Sequence, residues 1–299
     1  MSVLVLGASS FIGKNICKYI NAKKIIAVIR PLTQKKNELE RIKSKKIEII
    51  EYDVFKTDHE IKLYNIIREC DVCIMLAWMG TKREDRNKLY LHARSSKILL
   101  QFMKEFSAAF PQCKFIMCGT QAEYGRKAGL VTEESNCDPC TEYGKQKYIF
   151  FQNAFSYSKE HNIKFIELRF HSVIGKDDDS AKMIQQVIIK LQNKEYVYMN
   201  SDCSQMWNFI GVEELCHGIE KAIITDLENG AYNIGSAQSD RLKNYLIKIS
   251  QIICGSNRIF FSSKKDQTAP DFIFCCDKFF NAVGWSPLSD FEQQIRKML

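Results

Sequence analysis

Tyr143 and Lys147 are the residues of this sequence whose types and spacing best suit proton transfer. Asp138-Pro139 stops any earlier helix and apolar residues continue a helical pattern beyond Lys147, so side chains four positions apart share one face. A nearby ammonium favours the ionised phenol, and the Thr120 hydroxyl can hold a substrate oxygen against the tyrosine. These residues predict a general acid–base site, although Tyr-x-x-x-Lys alone is a common spacing that usually has no catalytic meaning.

A glycine-containing turn near the start of the sequence is a candidate phosphate-binding site. Residues 2–6 form an apolar run that ends at Gly7, and Gly13 follows inside a helical pattern. A strand, a tight turn and a helix N-terminus direct backbone N–H groups and the helix dipole at an anion. The spacing differs from Gly-x-Gly-x-x-Gly because Ser10 stands midway, and an ordinary strand–helix turn is the alternative.

Strands and helices alternate along the first 170 residues, which predicts an α/β fold with a doubly wound parallel sheet. The predicted strands are 2–6, 24–29, 46–53, 71–78, 114–120 and 163–170, and the helices after the glycine turn are 33–45, 59–68, 86–110 and 142–162. Beyond residue 175 the pattern changes. A loop at 177–180 is expected to cap a helix around 183–191, and a short strand is expected at 196–199.

Together these features resemble the extended short-chain dehydrogenase/reductase family, and within it the nucleotide-sugar epimerases, dehydratases and 4-ketoreductases. The family's glycine loop matches Gly7–Gly13, with Ser10 replacing the middle glycine. Its catalytic Ser/Thr before a Tyr-Gly pair matches Thr120, and its Tyr-x-x-x-Lys matches Tyr143 and Lys147. The resemblance runs almost end to end and includes 168–175, 207–215, 230–235 and 284–285.

The resemblance implies a Rossmann domain over 1–172, with segments near 208–236 returning to it, and a mainly substrate-binding lobe over 173–299. It implies the catalytic residues Thr120, Tyr143 and Lys147. The cofactor-binding residues are expected to be Gly7, Ser9, Ser10, Phe11, Ile12, Gly13, Arg30, Asp53, Val54, Leu76, Ala77, Trp78, Lys147, Phe170 and Ser172. The substrate-binding residues are expected to be Gly80, Thr81, Gln121, Ala122, Tyr143, Ser172 and Trp207. Trp78 is alternatively a loop-packing residue.

Arg30 follows the second predicted strand, at the position that decides between the two dinucleotides. An acidic residue there accepts hydrogen bonds from the ribose 2′-hydroxyl of NAD, whereas an arginine suits the 2′-phosphate of NADP. We therefore expect NADP to be preferred, with NAD possible. A surface arginine at a strand end is the alternative.

The residues after Thr120 bear on the reaction. Family dehydratases carry an Asp-Glu pair there, and this sequence has Gln121 and Ala122. The resemblance therefore implies reduction of a 4-keto-(6-deoxy)hexose nucleotide or epimerisation of a nucleotide sugar. A non-catalytic dinucleotide-binding sensor or scaffold of the same fold is the alternative. Trp207 replaces a common family arginine, and His92 and Ser172 stand where asparagines are usual.

Composition limits the other classes. The chain has 299 residues, 45% of them hydrophobic, and a formal charge of +8 that lies partly in short lysine-rich patches such as 43–46. Such patches are typical of solvated helix faces, so we expect no nucleic-acid partner. We expect a cytoplasmic, soluble protein with no membrane span, no disulfides among twelve scattered cysteines, and no metal, because Cys137-Asp-Pro-Cys140 lacks a histidine partner. A homodimer through helices 86–110 and 142–162 follows from the resemblance.

Overall fold

The computed structural model describes residues 1–42, 47–56, 61–266 and 271–299. The lysine-rich patch at 43–46 and the predicted helix start at 59 lie outside the described residues. The strands are β1 Ser2–Leu6, β2 Lys24–Ile29, β3 Ile47–Glu51, β4 Val72–Met75, β5 Lys114–Thr120, β6 Ala128–Val131, β7 Phe165–Phe170, β8 Ser172–Ile174, β9 Val197–Met199, β10 Met206–Trp207, β11 Phe209–Gly211, β12 Gly230–Ile234, β13 Asp240–Arg241, β14 Ile259–Phe261 and β15 Asp271–Phe274. The α-helices are α1 Phe11–Tyr19, α2 Lys36–Glu40, α3 Leu63–Ile66, α4 Leu89–Ala109, α5 Glu142–Glu160, α6 Met183–Gln192, α7 Val212–Ile224, α8 Leu242–Cys254, α9 Asp277–Val283 and α10 Phe291–Met298.

Seven strands form the central sheet, in the order β12-β7-β5-β4-β1-β2-β3. The pairs β1–β2, β2–β3, β1–β4, β4–β5 and β5–β7 are all parallel. The chain builds β2 and β3 on one side of β1, and then β4, β5 and β7 on the other. The order therefore reverses between β1 and β4, and ligands bind beside the carboxyl ends of strands at such a reversal. The predicted doubly wound fold is confirmed.

The apolar runs become strands because helices cover the sheet and both of its faces must be buried. Every residue of β1, β4 and β7 is buried. The long helices α4 and α5 place Phe102, Phe106 and Phe150 in the same core. These two helices follow β4 and β5, so they bring their N-termini to the edge where those strands end.

Two predicted helices are shorter than the sequence pattern indicated. Within the described residues, the predicted helix 33–45 contains only α2, and the predicted helix 59–68 contains only α3. Each buries only one residue, Leu39 in α2 and Leu63 in α3. Most helical stability in proteins comes from packing an apolar face, so little supports longer helices here.

Contacts divide the chain into two compact units. The first contains residues 1–125, 136–170 and 219–232, and the second contains residues 126–135, 171–218 and 233–299. The assignment of 126–135 to the second unit had no signal in the sequence. The substrate-binding role of the second unit remains a prediction.

The second unit has a core of its own, to which α6, α8 and α10 contribute Val187, Leu246 and Ile295. Its short strands pair in parallel as β6–β15, β8–β11 and β9–β14, and β10 pairs with β13 antiparallel. Helix α6 begins after Lys182, which makes no side-chain capping bond, so the predicted cap within 177–180 is wrong. None of the helices in the described ranges has the length and apolarity that a membrane span requires.

Candidate active site

The glycine turn lies where strand order reverses. Gly7 has a φ of +87°, and a Cβ there would lie 2.9 Å from the backbone nitrogen of Ala77, which follows β4. A Cβ on Gly13 would lie 2.4 Å from the carbonyl oxygen of Gly7. Only glycine therefore fits at either position, because the turn packs directly against the end of β4 and against its own backbone.

Ser10 replaces the middle glycine without strain because its φ is −71°, so no left-handed conformation is needed. Its hydroxyl accepts a hydrogen bond of 3.0 Å from the backbone N–H of Gly13 and caps α1. The departure from the family spacing thus has a local explanation. Ser9, Phe11 and Ile12 lie in the same turn and first helical residues.

Residues predicted to contact the adenosine follow the ends of β2, β3 and β4. Arg30 comes directly after β2 and is exposed. Asp53 follows β3, and one of its carboxylate oxygens accepts a bond of 3.1 Å from the N–H of Phe55, with Val54 between them. The N–H groups of Leu76 and Ala77 both donate to the carbonyl of Leu6 at 3.0 Å, which holds the end of β4 against β1.

Thr120 ends β5 and begins a 3-10 turn at Gln121–Glu123. Its hydroxyl accepts a bond of 3.2 Å from the N–H of Ala122, and its own N–H donates to a Glu123 carboxylate oxygen at 2.8 Å. The turn packs on the start of α5 so closely that a Cβ on Gly144 would lie 2.5 Å from the Ala122 carbonyl oxygen. This packing places the Thr120 side chain beside the hydroxyl of Tyr143, whose pKa it lowers.

Lys147 is buried one turn further along α5. Its ammonium donates to the carbonyl of Cys118 at 2.8 Å and lies 4.1 Å from the centre of the Trp78 ring. Its distance from the centre of the Tyr143 ring is 5.9 Å. Burial lowers the pKa of Lys147 to about 8.

The pKa of Tyr143 runs opposite to our expectation from the sequence. Burial and the charge of Glu123 raise it to about 12, while Arg86 and the neighbouring Thr120 side chain lower it. The Lys147 ammonium donates to the Cys118 carbonyl, lies over the Trp78 ring, and is 5.9 Å from the centre of the Tyr143 ring. Tyr143 therefore carries its proton at neutral pH in this structure.

Arg86 is a site residue that sequence reasoning missed. Its guanidinium carbon lies 5.9 Å from the centre of the Tyr143 ring, and its carbonyl accepts the Tyr143 N–H at 2.9 Å. It precedes α4 in an irregular segment, where no pattern in the sequence marks it.

Three buried charged residues behind Thr120 were also missed. Arg169 Nε donates to Glu123 at 3.0 Å and to Glu167 at 2.9 Å, and all three side chains are almost fully buried. A Cβ on Gly119 would lie 2.8 Å from the Glu167 side chain, so only glycine admits the cluster. The sequence did contain a sign of this cluster, because Glu167 and Arg169 stand inside the otherwise apolar run of β7.

The remaining predicted cofactor-binding and substrate-binding residues lie partly in the first unit and partly in the second. In the first unit, Trp78 is 9% exposed, Gly80 has a φ of +69°, and Thr81 is exposed. Phe170 is buried at the end of β7. In the second unit the Ser172 hydroxyl accepts the indole N–H of Trp207 at 2.9 Å.

His171 stands beside Ser172 in the second unit, and its ring meets Trp207, Phe272 and Phe274 edge-on. Burial lowers the pKa of His171 to about 3, so the imidazole is neutral. A neutral ring packed among aromatic side chains is not a base available at ordinary pH.

A doubly wound sheet with a glycine turn at its reversal, and a Thr-Tyr-Lys group at the neighbouring strand ends, defines a dinucleotide-dependent oxidoreductase fold. A family model described as the NAD dependent epimerase/dehydratase family matches residues 3–235. The chain belongs to this family, which confirms the resemblance found in the sequence.

Two known proteins and one solved structure are similar to this chain over most of its length. CDP-abequose synthase of Salmonella typhimurium is 23% identical over 310 residues, covering 99% of this chain and 97% of the relative. The dTDP-6-deoxy-L-talose 4-dehydrogenase (NAD(+)) of Aggregatibacter actinomycetemcomitans is 25% identical over 252 residues, covering 81% and 87%. The crystal structure of UDP-glucuronic acid 4-epimerase from Bacillus cereus, in complex with UDP-glucuronic acid and NAD, superposes with a TM-score of 0.82 at 20% identity, covering 100% and 98%.

The buried cluster generates a stability prediction. Burial and the charge of Glu123 raise the pKa of Glu167 well above its usual range, although Arg169 opposes this. A carboxyl whose folded pKa is raised loses stabilising free energy as pH rises above its unfolded pKa of about 4.3. Glu167→Gln mimics the protonated form and does not titrate. Its free energy of unfolding relative to wild type should therefore increase between pH 5.5 and pH 8.5, measured by urea unfolding.

Glu160→Gln, at the exposed end of α5, controls for the substitution itself. A difference between Glu167→Gln and wild type that stays constant from pH 5.5 to pH 8.5 would mean that Glu167 is ionised in the folded state.

Proposed function

We propose that this protein reduces the 4-keto group of a nucleotide-linked 6-deoxyhexose with a nicotinamide dinucleotide. The proposal rests mainly on the placement of Tyr143, whose hydroxyl lies beside the Thr120 side chain and whose pKa is raised by burial to about 12. Reduction of a ketone requires a proton donor at the carbonyl oxygen, whereas oxidation of an alcohol requires the phenolate. A tyrosine with a raised pKa suits the reductive direction.

The turn after Thr120 argues against dehydration. Gln121 and Ala122 carry no acid or base. Glu123, the nearest carboxylate in the sequence, is fully buried, accepts the Thr120 N–H and pairs with Arg169. Its oxygens are committed to these partners, so Glu123 cannot reach a substrate as a base.

The residues of the first unit fit a dinucleotide. Gly7 and Gly13 form a tight turn at the N-terminus of α1, whose backbone N–H groups and helix dipole suit a phosphate, and Lys147 offers an ammonium donor near the end of β5. These residues would hold the cofactor, and its nicotinamide, when bound, supplies the hydride. Thr120 then holds the carbonyl oxygen of the sugar, and Tyr143 gives its proton to that oxygen. Lys147 keeps positive charge beside the developing phenolate.

The names of the relatives support the substrate class. One relative is a 4-dehydrogenase of a dTDP-linked 6-deoxy sugar that uses NAD(+), and another is a synthase of a CDP-linked sugar. We propose that this chain, like that 4-dehydrogenase, acts on a nucleotide-linked deoxy sugar and that carbon 4 of the sugar is the reacting carbon. The second unit, with Ser172 and Trp207, is proposed to bind the nucleotide sugar.

A panel of nucleotide-linked 4-keto-6-deoxyhexoses, assayed for substrate-dependent oxidation of NADPH and NADH, tests the proposal. At least one should be reduced with one equivalent of dinucleotide consumed. Interconversion of nucleotide sugars without net dinucleotide consumption would identify an epimerase instead. Dinucleotide binding with no turnover on the panel, or on epimerase substrates, would identify a sensor.

Two variants on α5 separate proton transfer from cofactor binding. Tyr143→Phe removes the proton donor and leaves the ring packing, so kcat should fall by about 10²–10⁴-fold while the dinucleotide Kd stays near wild type. Lys147→Met removes the ammonium, so kcat should fall and Kd should also rise. Steady-state kinetics and fluorescence titration with the dinucleotide give both values. A Tyr143→Phe protein with wild-type kcat would remove Tyr143 from the mechanism.

Arg30 is proposed to select NADP(H) over NAD(H). Its exposed guanidinium forms no ion pair with any residue in the described ranges, so it is available for a charge-assisted bond to the 2′-phosphate. Calorimetric titration should show tighter binding of NADP(H), and Arg30→Asp should reverse the order. Arg68→Asp, which removes another exposed arginine of the first unit, should leave the order unchanged. Equal affinities of the wild-type protein for both dinucleotides would contradict this assignment.

We also propose a cytoplasmic homodimer that forms through α4 and α5. Leu89 and Tyr90 on α4 and Ile149 on α5 are exposed apolar side chains that a helix pair could cover. Light scattering at micromolar concentration should give twice the chain mass, and a monomer would count against the proposal.

A further inference from the structure

The charge of Lys147 is buried with few partners. Its relative exposure is 3%, and its only direct contacts of a polar or cation–π kind with the described residues are the Cys118 carbonyl, the Trp78 ring and the Tyr143 ring. The Trp78 ring is the closer of the two aromatic groups, at 4.1 Å against 5.9 Å. An ammonium over an indole face is stabilised most when water is excluded, as it is here.

Trp78 is itself held in place by α4. Its indole N–H donates to Nδ1 of His92 at 3.2 Å, and Nε2 of His92 lies 2.9 Å from the carbonyl oxygen of Asp85. Because Nδ1 accepts the indole N–H, the contact with the Asp85 carbonyl oxygen is a hydrogen bond that Nε2 donates. The next residue, Met79, donates its N–H to Ser95 on the same helix at 3.1 Å.

The surroundings leave the indole little freedom to turn. Its ring meets Tyr143 at 6.4 Å and Phe150 at 6.3 Å, both edge-on. A Cβ on Gly80 would lie 3.0 Å from the His92 ring, so the segment after Trp78 approaches His92 as closely as a glycine allows. The ring face under Lys147 is therefore set by His92 on α4 together with Tyr143 and Phe150 on α5.

We propose that Trp78 is a positioning residue for Lys147: its indole face, oriented by His92, holds the ammonium in its charged form beside the dinucleotide site. The direct cofactor contact of Trp78 expected from the sequence stays a separate prediction. It rests on the proposed function of Lys147 in binding the dinucleotide, and its test measures binding rather than turnover.

The other titratable groups that face Lys147 must be considered before a pH effect is assigned. They are Cys118 on β5, Glu123 in the 3-10 turn, Glu167 on β7 and Tyr143 on α5 itself. None of them is altered by a substitution at Trp78. Loss of the indole face removes support for the cation, so the pKa of Lys147 should fall below the value of about 8 in the wild type.

The experiment is a fluorescence titration of NADPH binding between pH 6 and pH 10. For the wild type, log Kd should rise above a break near the pKa of Lys147, because the neutral amine attracts the anionic dinucleotide less. Lys147→Met should lack this break, which assigns it. In Trp78→Leu the break should move down by about 0.5–1.5 pH units, and in Trp78→Phe it should lie between the two. Trp285→Leu, the same substitution in the second unit, should keep the wild-type break.

Circular dichroism establishes which variants fold. A folded Trp78→Leu protein with the wild-type break would overturn the proposal. If that variant does not fold, a Trp78→Phe protein with an unshifted break overturns it equally. A break that persists in Lys147→Met would also overturn it. The binding titration does not depend on turnover. A protein that reduces no 4-keto sugar would contradict the proposed function without affecting the test of Trp78.

Discussion

The burial of one positive charge, the ammonium of Lys147, constrains the whole candidate site. A buried ammonium needs partners that replace water, and here a strand carbonyl and an aromatic face supply them. The carbonyl belongs to Cys118 near the end of β5, and the aromatic face belongs to Trp78 after β4. Both partners are available because neighbouring parallel strands end at the same edge of the sheet. The order of the sheet thus decides which groups can support the charge.

The buried carboxyl groups behind the same edge of the sheet are also held in one arrangement by their partners. Glu123, Glu167 and Arg169 are buried together, and Glu123 also fixes the backbone of Thr120. Breaking a buried ion pair leaves an uncompensated charge, so the cluster keeps the 3-10 turn in one arrangement. The charge of Glu123 also raises the pKa of Tyr143. One carboxylate therefore both fixes the backbone of Thr120 and, together with burial, raises the pKa of Tyr143.

Local patterns in the sequence predicted the sheet, the glycine turn and the shared face of Tyr143 and Lys147, because each depends on residues close in the chain. The pKa of Tyr143 could not be predicted, because it depends on burial and on Glu123 and Arg86 from other elements. The contact of Trp78 with Lys147 joins residues almost seventy positions apart and left no periodic signal. The sequence pattern overestimated the lengths of α2 and α3, because their polar helix-forming residues offer no apolar face to pack against the core.

The central claim is that Tyr143 and Thr120 serve the reduction of a sugar carbonyl at position 4. The most direct measurement uses NADPH carrying deuterium at both C4 positions of the nicotinamide, incubated with the protein and a nucleotide-linked 4-keto-6-deoxyhexose. Mass spectrometry and NMR of the product locate the label. The account predicts one deuterium at carbon 4 of the product sugar. A product without cofactor-derived deuterium, or with deuterium at another carbon, would contradict it.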